Sequence, residues 1–318
     1  MTTKLKLINM KDVEIETIQW IWEPYIPYGK LTIVQGDPGE GKTTFVLSLI
    51  ALLTTGRPLP EHEATTEPIS VIYQTAEDGL SDTIKPRLVA AGADCSRVLV
   101  IDDSEKELTM CDARLEQAIV QTGAKLVVLD PIQAYLGSGV DMHRANEVRP
   151  VFKRLAALAE NTGCAILLIG RMNKTQGVKA SYRGLGSIDF RAAARSVLVV
   201  GRMKEEPTVR IVAHDKSSLA PEGKSIVFEL DPDTGFGWKG YCDTSVDELL
   251  AGRGSLVSKT TQAENLLQEI LSDGEAPSDE ILTQAAALGI SERTLKIAKQ
   301  NLGVKSRRVG DRWFSYLD

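Results

Sequence analysis

Apolar and polar positions change their rhythm twice along the chain. Up to about residue 169, short and nearly continuous apolar runs alternate with stretches of helical period. Residues 30–35 (KLTIVQ), 70–74 (SVIYQ), 98–101, 126–129 and 165–169 predict strands. Residues 42–53, 80–91, 113–121 and 147–161 predict the helices between them. Strands apolar on both sides need cover on both faces, so the alternation predicts a buried, mostly parallel sheet of α/β class. Residues 196–200, 209–213, 225–230 and 236–240 are strand-like with short connections, which predicts an antiparallel extension.

Periodicity is lost over 242–260, around Gly252-Arg253-Gly254-Ser255, and a linker is expected there. Beyond it, 262–271, 278–287 (just after Pro277) and 292–302 (capped by Ser291) predict three short helices. Residues 304–317 predict a hairpin turning at Gly310-Asp311. Three helices and a hairpin describe a small winged helix, with Leu295, Leu302, Trp313, Phe314 and Tyr316 contributing its core. Trp313 is expected to pack rather than to stack on a base. The predicted division is 1–244 as an α/β core, 245–260 as a linker and 261–318 as a winged-helix-like domain.

Composition narrows the class. The 318 residues suit about two domains, and 43% hydrophobic with 25% charged is ordinary for a globular chain. The longest apolar run, near 166–169, falls far short of the roughly 20 residues of a membrane span. No apolar stretch of a secretory signal opens the sequence, so a cytoplasmic location without membrane contact is expected. Four cysteines with no C-x-x-C, and only three histidines, argue against a zinc site or a disulfide framework. Lys plus Arg is 37 against 43 Asp plus Glu, a net charge of −6, so the chain as a whole is no nucleic-acid coat. Residues 291–313 are the exception: seven basic residues stand there against two acidic ones.

The chemistry starts at Gly36-Asp37-Pro38-Gly39-Glu40-Gly41-Lys42-Thr43-Thr44. It matches G-x-x-x-x-G-K-[ST] between a predicted strand and a predicted helix, the setting a phosphate-binding loop requires. Loop amides and the helix N-terminus would wrap the phosphates, Lys42 would reach the β- and γ-phosphates, and the Thr43 hydroxyl would face Mg²⁺. Phosphoryl transfer needs a second carboxylate on the metal side, and Asp130, ending Leu126-Val127-Val128-Leu129, supplies it. Pro131 follows, so this strand does not end in the common adjacent Asp-Glu pair. Glu77, in Tyr73-Gln74-Thr75-Ala76-Glu77-Asp78, is the candidate that orients the attacking water, with Asp78 as the alternative. Asn173-Lys174-Thr175-Gln176 begins like a guanine-reading motif but ends in Gln, which leaves ATP as the expected nucleotide.

These motifs, with Gly170-Arg171-Met172-Asn173-Lys174, Tyr182–Asp189, Arg195-Ser196 and His214–Glu222, resemble the RecA-like ATPases of the RepA hexameric helicase type, frequent in plasmids and prophages. The resemblance covers about residues 15–240. It implies a RecA-like core that binds ATP and Mg²⁺ and a homo-oligomeric, hexameric ring. In such a ring a neighbour's cation reaches the γ-phosphate; Arg195 and Lys216 are preferred here, with Arg191 as a further candidate. The family typically carries His where this chain has Arg171, so γ-phosphate sensing falls to Arg171 or Asn173. Lys174, Lys179 and Arg183 form a basic loop suited to single-stranded DNA. At the C-terminus, Arg293, Lys296, Lys299, Arg307 and Arg308 suit duplex phosphates, and mobile-element ATPases of this kind often end similarly. The implied output is a replicative DNA helicase. The alternatives are an ATP-gated DNA-binding regulator and a scaffold that loads another helicase.

Overall fold

The structure, a computed structural model, describes residues 7–60, 62–172, 188–252, 254, 259–272 and 274–317. It divides into two compact units, Met1–Val200 with His214–Gly223, and Gly201–Ala213 with Lys224–Asp318. Among the described residues no helix is long and apolar enough to cross a membrane.

In the first unit, strand β3 (Leu31–Gly36) is buried along its whole length. It runs parallel to β7 (Ala165–Arg171) on one side and to β8 (Ser196–Arg202) on the other. Outward from β7 come β6 (Leu126–Asp130), β4 (Val71–Thr75) and β5 (Val98–Leu99), all parallel. The strand at 196–200, expected in the antiparallel extension, also pairs parallel with β3, Thr32 opposite Ser196. Helix α5 (Ile188–Ala193) immediately precedes it, and a helix before a strand belongs to a crossover, which delivers strands in parallel. The expected strand 98–101 shortens to two residues. The Gln74 side-chain amide takes the place of a backbone partner, accepting from Ile101 N at 2.6 Å and donating to Ile101 O at 3.2 Å.

Helix α1 (Lys42–Thr55) follows β3 directly and is apolar nearly all round, as a helix buried in the interior must be. Gly41 (φ 88°) starts it and Gly56 (φ 68°) ends it, both in the left-handed region. Helices α3 (Ala113–Thr122) and α4 (Ala145–Thr162) are amphipathic and cover the sheet with Leu115, Ile119, Phe152 and Leu155. The helix expected over 80–91 opens as a wide π turn at Leu80–Ile84 before α2 (Lys85–Ala90), since Pro86 has no N–H to give an α-helical ladder. A short hairpin, β1 (Trp20–Trp22) and β2 (Ile26–Pro27), was not foreseen. It seats Trp22 and Tyr25 in the interior, with Trp22 6.5 Å from Phe45 of α1.

The second unit holds the antiparallel strands. Strand β10 (Ser225–Asp231) pairs with the start of β9 (Val209–Ser217) and with β11 (Gly235–Cys242). Inside the stretch read as a linker lies helix α6 (Val246–Leu250), closed by a capping box in which Ser245 and Glu248 satisfy each other's backbone amides. Helix α7 (Lys259–Leu271), strand β12 (Ala276–Pro277), helices α8 (Ser278–Ala287) and α9 (Glu292–Asn301), and hairpin β13 (Lys305–Val309)–β14 (Arg312–Tyr316) follow. Their core is Ala263, Leu267, Ile281, Ala285, Leu295 and Ala298. Trp313, expected in that core, is 54% exposed. The small residues between α7 and α9 let the helices close on each other, and nothing the size of an indole is needed.

One polar group is buried in the first unit at a measurable pH cost. His214 lies 5.3 Å from the Tyr25 ring, its Nδ1 accepts from Gly223 N at 2.9 Å, and its Nε2 meets Ser196 Oγ at 3.1 Å. Protonating Nδ1 would break the Gly223 bond, and burial holds the imidazole down at about 4. The unfolded chain therefore takes up this proton more readily than the folded one. Thermal stability is expected to fall as pH drops from about 6.5 toward 4, and His214→Asn should flatten that fall. An equal slope in both proteins, followed by circular dichroism melts, would contradict this.

Candidate nucleotide-binding site

The site forms where parallel strands end. Residues 36–41 leave β3 at its C-terminal edge, with Gly39 (φ 81°) and Gly41 (φ 88°) in the left-handed region. Gly36 has no room for a side chain, since a Cβ would run into the Val200 carbonyl of β8. Asp37, Pro38 and Gly39 face solvent, and Thr44 continues the first turn of α1. Lys42 Nζ donates to the carbonyls of Gly36 (3.0 Å) and Asp37 (2.7 Å), folding back over its own loop. Burial pushes the amine's pKa down, while Asp130 and Glu40 oppose the shift.

Asp130 is the hub. Its Oδ2 accepts from Thr43 Oγ1 at 2.8 Å and from Tyr73 OH at 2.9 Å. Burial raises this carboxyl's pKa, and the two hydroxyls partly offset the rise. A hard divalent cation fits this donor set: Thr43 and Asp130 offer oxygens on adjacent sides, and Mg²⁺ takes one or two protein oxygens and fills the rest from water and phosphate. Strand register carries the neighbouring residues in. Thr75 lies opposite Asp130, and Ala76 N donates to Asp130 O at 3.1 Å, so Glu77 follows just past the metal-side carboxylate.

Glu77 does not stand free. Both its carboxylate oxygens accept from Arg171 Nη2, at 2.6 and 2.5 Å. Asp78, the alternative, reaches Arg87 at 3.6 Å and bonds its amide to Thr75 Oγ1. The structure thus brings together the loop, Lys42, Thr43, Asp130, Glu77 and Arg171. Sequence reasoning passed over Tyr73, although a signal existed: it lies two residues before Thr75 and so shares a sheet face with the Asp130 side.

The candidate trans-acting cations part ways. Lys216 Nζ donates to the carbonyls of Arg191 (2.8 Å), Ala192 (3.4 Å) and Ala194 (2.8 Å). All three ammonium protons serve the C-terminal end of α5, where exposed carbonyls favour a cation, and none is left for a neighbour's phosphate. Arg191 is taken by Asp215 at 2.8 Å. Arg195 is exposed, with no ion pair among the described residues.

Residues Lys174, Lys179 and Arg183, with Asn173, lie outside the described residues. Of the C-terminal set, Arg293 and Lys296 are exposed on α9. Lys299 is turned inward instead: it sits four residues after the buried Leu295, half-buried, and donates to Ser315 Oγ at 2.9 Å. Arg307 is paired with Glu275 at 2.6 Å, whereas Arg308 reaches Asp311 only at 3.8 Å.

The sequence profile of the AAA domain matches residues 2–177, more than half of the chain. The protein belongs to the AAA domain family. Over 148 residues the AAA-domain chain is 28% identical to the DNA repair protein RadA of Halalkalibacterium halodurans, covering 46% of this chain and 28% of RadA. It is 24% identical over 227 residues to the protein RecA of Mannheimia haemolytica, covering 64% and 56%. It therefore spans about half, or less, of the curated relatives it matches. A KaiC-like protein from Pyrococcus horikoshii aligns over 67% of this chain and 91% of its own, with 18% identity and a TM-score of 0.47.

The Asp130 hub yields a prediction for the AAA-domain site. The Tyr73 hydroxyl favours the ionised carboxylate, so Tyr73→Phe should raise the Asp130 pKa further. The titration of the Asp130 carboxyl, followed by NMR of carbon-labelled aspartate, is expected to move toward neutral pH in that variant. A pH profile superimposable on the wild type would contradict this.

Proposed function

We propose that this chain is a Mg²⁺-dependent ATPase whose turnover is coupled to DNA, with Lys42 and the loop amides on the phosphates, Thr43 and Asp130 toward the metal, and Glu77 orienting the attacking water. Bound Mg²⁺ would neutralise charge on the phosphate oxygens. The reading rests on one observation above all: Thr43 and Asp130 share a 2.8 Å hydrogen bond beside a glycine loop, with Glu77 on the adjoining strand end. The favoured output is a replicative helicase of a plasmid or prophage, working as a homo-oligomeric, hexameric ring around single-stranded DNA, with Lys174, Lys179 and Arg183 toward the strand. Arg195, exposed and outside any ion pair among the described residues, is the best-placed candidate for a neighbour's γ-phosphate.

The C-terminal segment is proposed as a winged helix that holds duplex DNA. Its order, helix–strand–helix–helix–hairpin, supports this, as do Arg293 and Lys296 exposed on α9 and Arg308 on the hairpin. The relatives' names, a DNA repair protein and RecA, agree with a DNA-linked role. A second reading, an ATP-gated DNA-binding switch or helicase-loading scaffold, draws support from Lys216 and Arg191, whose charges are spent inside the chain.

Two experiments test the reading. Glu77→Gln should keep ATP bound while turnover falls by about 10²-fold or more; wild-type rates would move the role to Asp78. The Arg293→Glu/Lys296→Glu double variant should weaken duplex binding by about tenfold or more at moderate salt and leave basal hydrolysis intact. Undiminished duplex affinity in a fluorescence anisotropy titration would remove the C-terminal segment from DNA contact.

A further inference from the structure

Arg171 and Glu77 form a strap across the site. Arg171 ends β7 and Glu77 follows β4, and β6, which ends in Asp130, lies between those two strands. At roughly 4.8 Å per strand, the two backbones stand about 10 Å apart, and the side chains close that span over the end of β6. The Arg171 end is anchored on the phosphate loop. Its residue lies opposite Gly36 in the β3–β7 register, and Met172 N donates to Gly36 O at 3.2 Å. The guanidinium is also close enough to Lys42 for the two like charges to act on each other.

We propose that Arg171 is a positioning residue that holds Glu77 in the nucleotide-free protein and releases it to a γ-phosphate. The inference rests on the site's being an ATP site, as proposed above. Its physical basis is competition for one cation. The ion pair is strongly hydrogen-bonded but half-open to water, both side chains being 53% exposed, so it holds only weakly. A γ-phosphate beside Lys42 brings more negative charge and more acceptor oxygens than a carboxylate, and a planar guanidinium matches phosphate geometry. ATP therefore takes Arg171 away from Glu77, and the freed carboxylate turns to the water that will attack. ADP has no γ-phosphate and leaves the strap closed. The cation acts within the same chain as Lys42, with no neighbour required for this step.

Binding affinities of the full-length protein test this without relying on Glu77 as the base. Calorimetric titrations with Mg²⁺ and either the non-hydrolysable ATP analogue AMP-PNP or ADP would compare wild type, Glu77→Gln, Arg171→Ala and the double variant. Glu77→Gln removes the competitor, so AMP-PNP should bind roughly threefold tighter with ADP unchanged. Arg171→Ala should weaken AMP-PNP by about tenfold and leave ADP unchanged. In the Arg171→Ala background, Glu77→Gln should add nothing. Arg171→Lys keeps the charge without the fork and should fall between wild type and alanine. The strap is overturned if Glu77→Gln shifts neither ligand or both equally, or if its gain persists without Arg171. A wild type that binds neither ligand would overturn the phosphate-site reading and this inference with it. Normal hydrolysis by Glu77→Gln would overturn only its role as base.

Discussion

The parallel pairing of β3 between β7 and β8 is the constraint from which the site follows. Pairing on both edges puts β3 in the interior of the sheet, where all six of its residues, the polar Thr32 and Gln35 included, are buried and its backbone groups meet partners in the ladder. Parallel strands end together, so the loop leaving β3 opens beside the ends of β7 and β6. Gly36 is pressed against the Val200 carbonyl on one side and stands opposite Arg171 on the other. A side chain at Gly36 would push β8 away and disturb both relationships at once.

Charge balance around Asp130 is the second organising feature. A buried carboxylate is costly unless its lone pairs are used. Thr43 from α1 and Tyr73 from β4 supply two hydroxyls to the same oxygen, and the Lys42 ammonium adds a nearby positive charge. Three elements are thereby tied to one side chain. Lys42 meanwhile rests on loop carbonyls, and Glu77 rests on Arg171. Lys42, Asp130, Glu77 and Arg171 thus each have a partner inside the chain.

The alternation of apolar runs with helical stretches was enough to place most of the first unit. Register follows from it, because G-x-x-x-x-G-K-T after one buried strand and Asp130 at the end of another leave little freedom in a parallel sheet. What escaped depends on long-range partners. The β1–β2 hairpin has only a few residues to signal it, and its burial depends on Phe45. The strand at 98–101 stops early because a side chain, Gln74, takes its backbone bonds. Lys216, Lys296 and Lys299 carry the same formal charge; the place of Lys299 four residues after Leu295 signals its inward turn, whereas nothing in the spacing of Lys216 marks it as the lysine that caps a helix. Trp313 stands 54% exposed on the hairpin, outside the cluster that Leu295 and Ala298 belong to, and its aromatic character alone does not tell the two places apart. The Arg171–Glu77 pair joins residues 94 positions apart and becomes visible only when strand order is known.

Coupling of a phosphate-cleaving site to DNA, as proposed above, would show in steady-state ATP hydrolysis under DNA titration. Rates would be followed with single-stranded oligonucleotides of increasing length and then with duplex. Strong stimulation by single strands, saturating with length, is the expected result. Hydrolysis that stays slow and indifferent to both forms of DNA would contradict it.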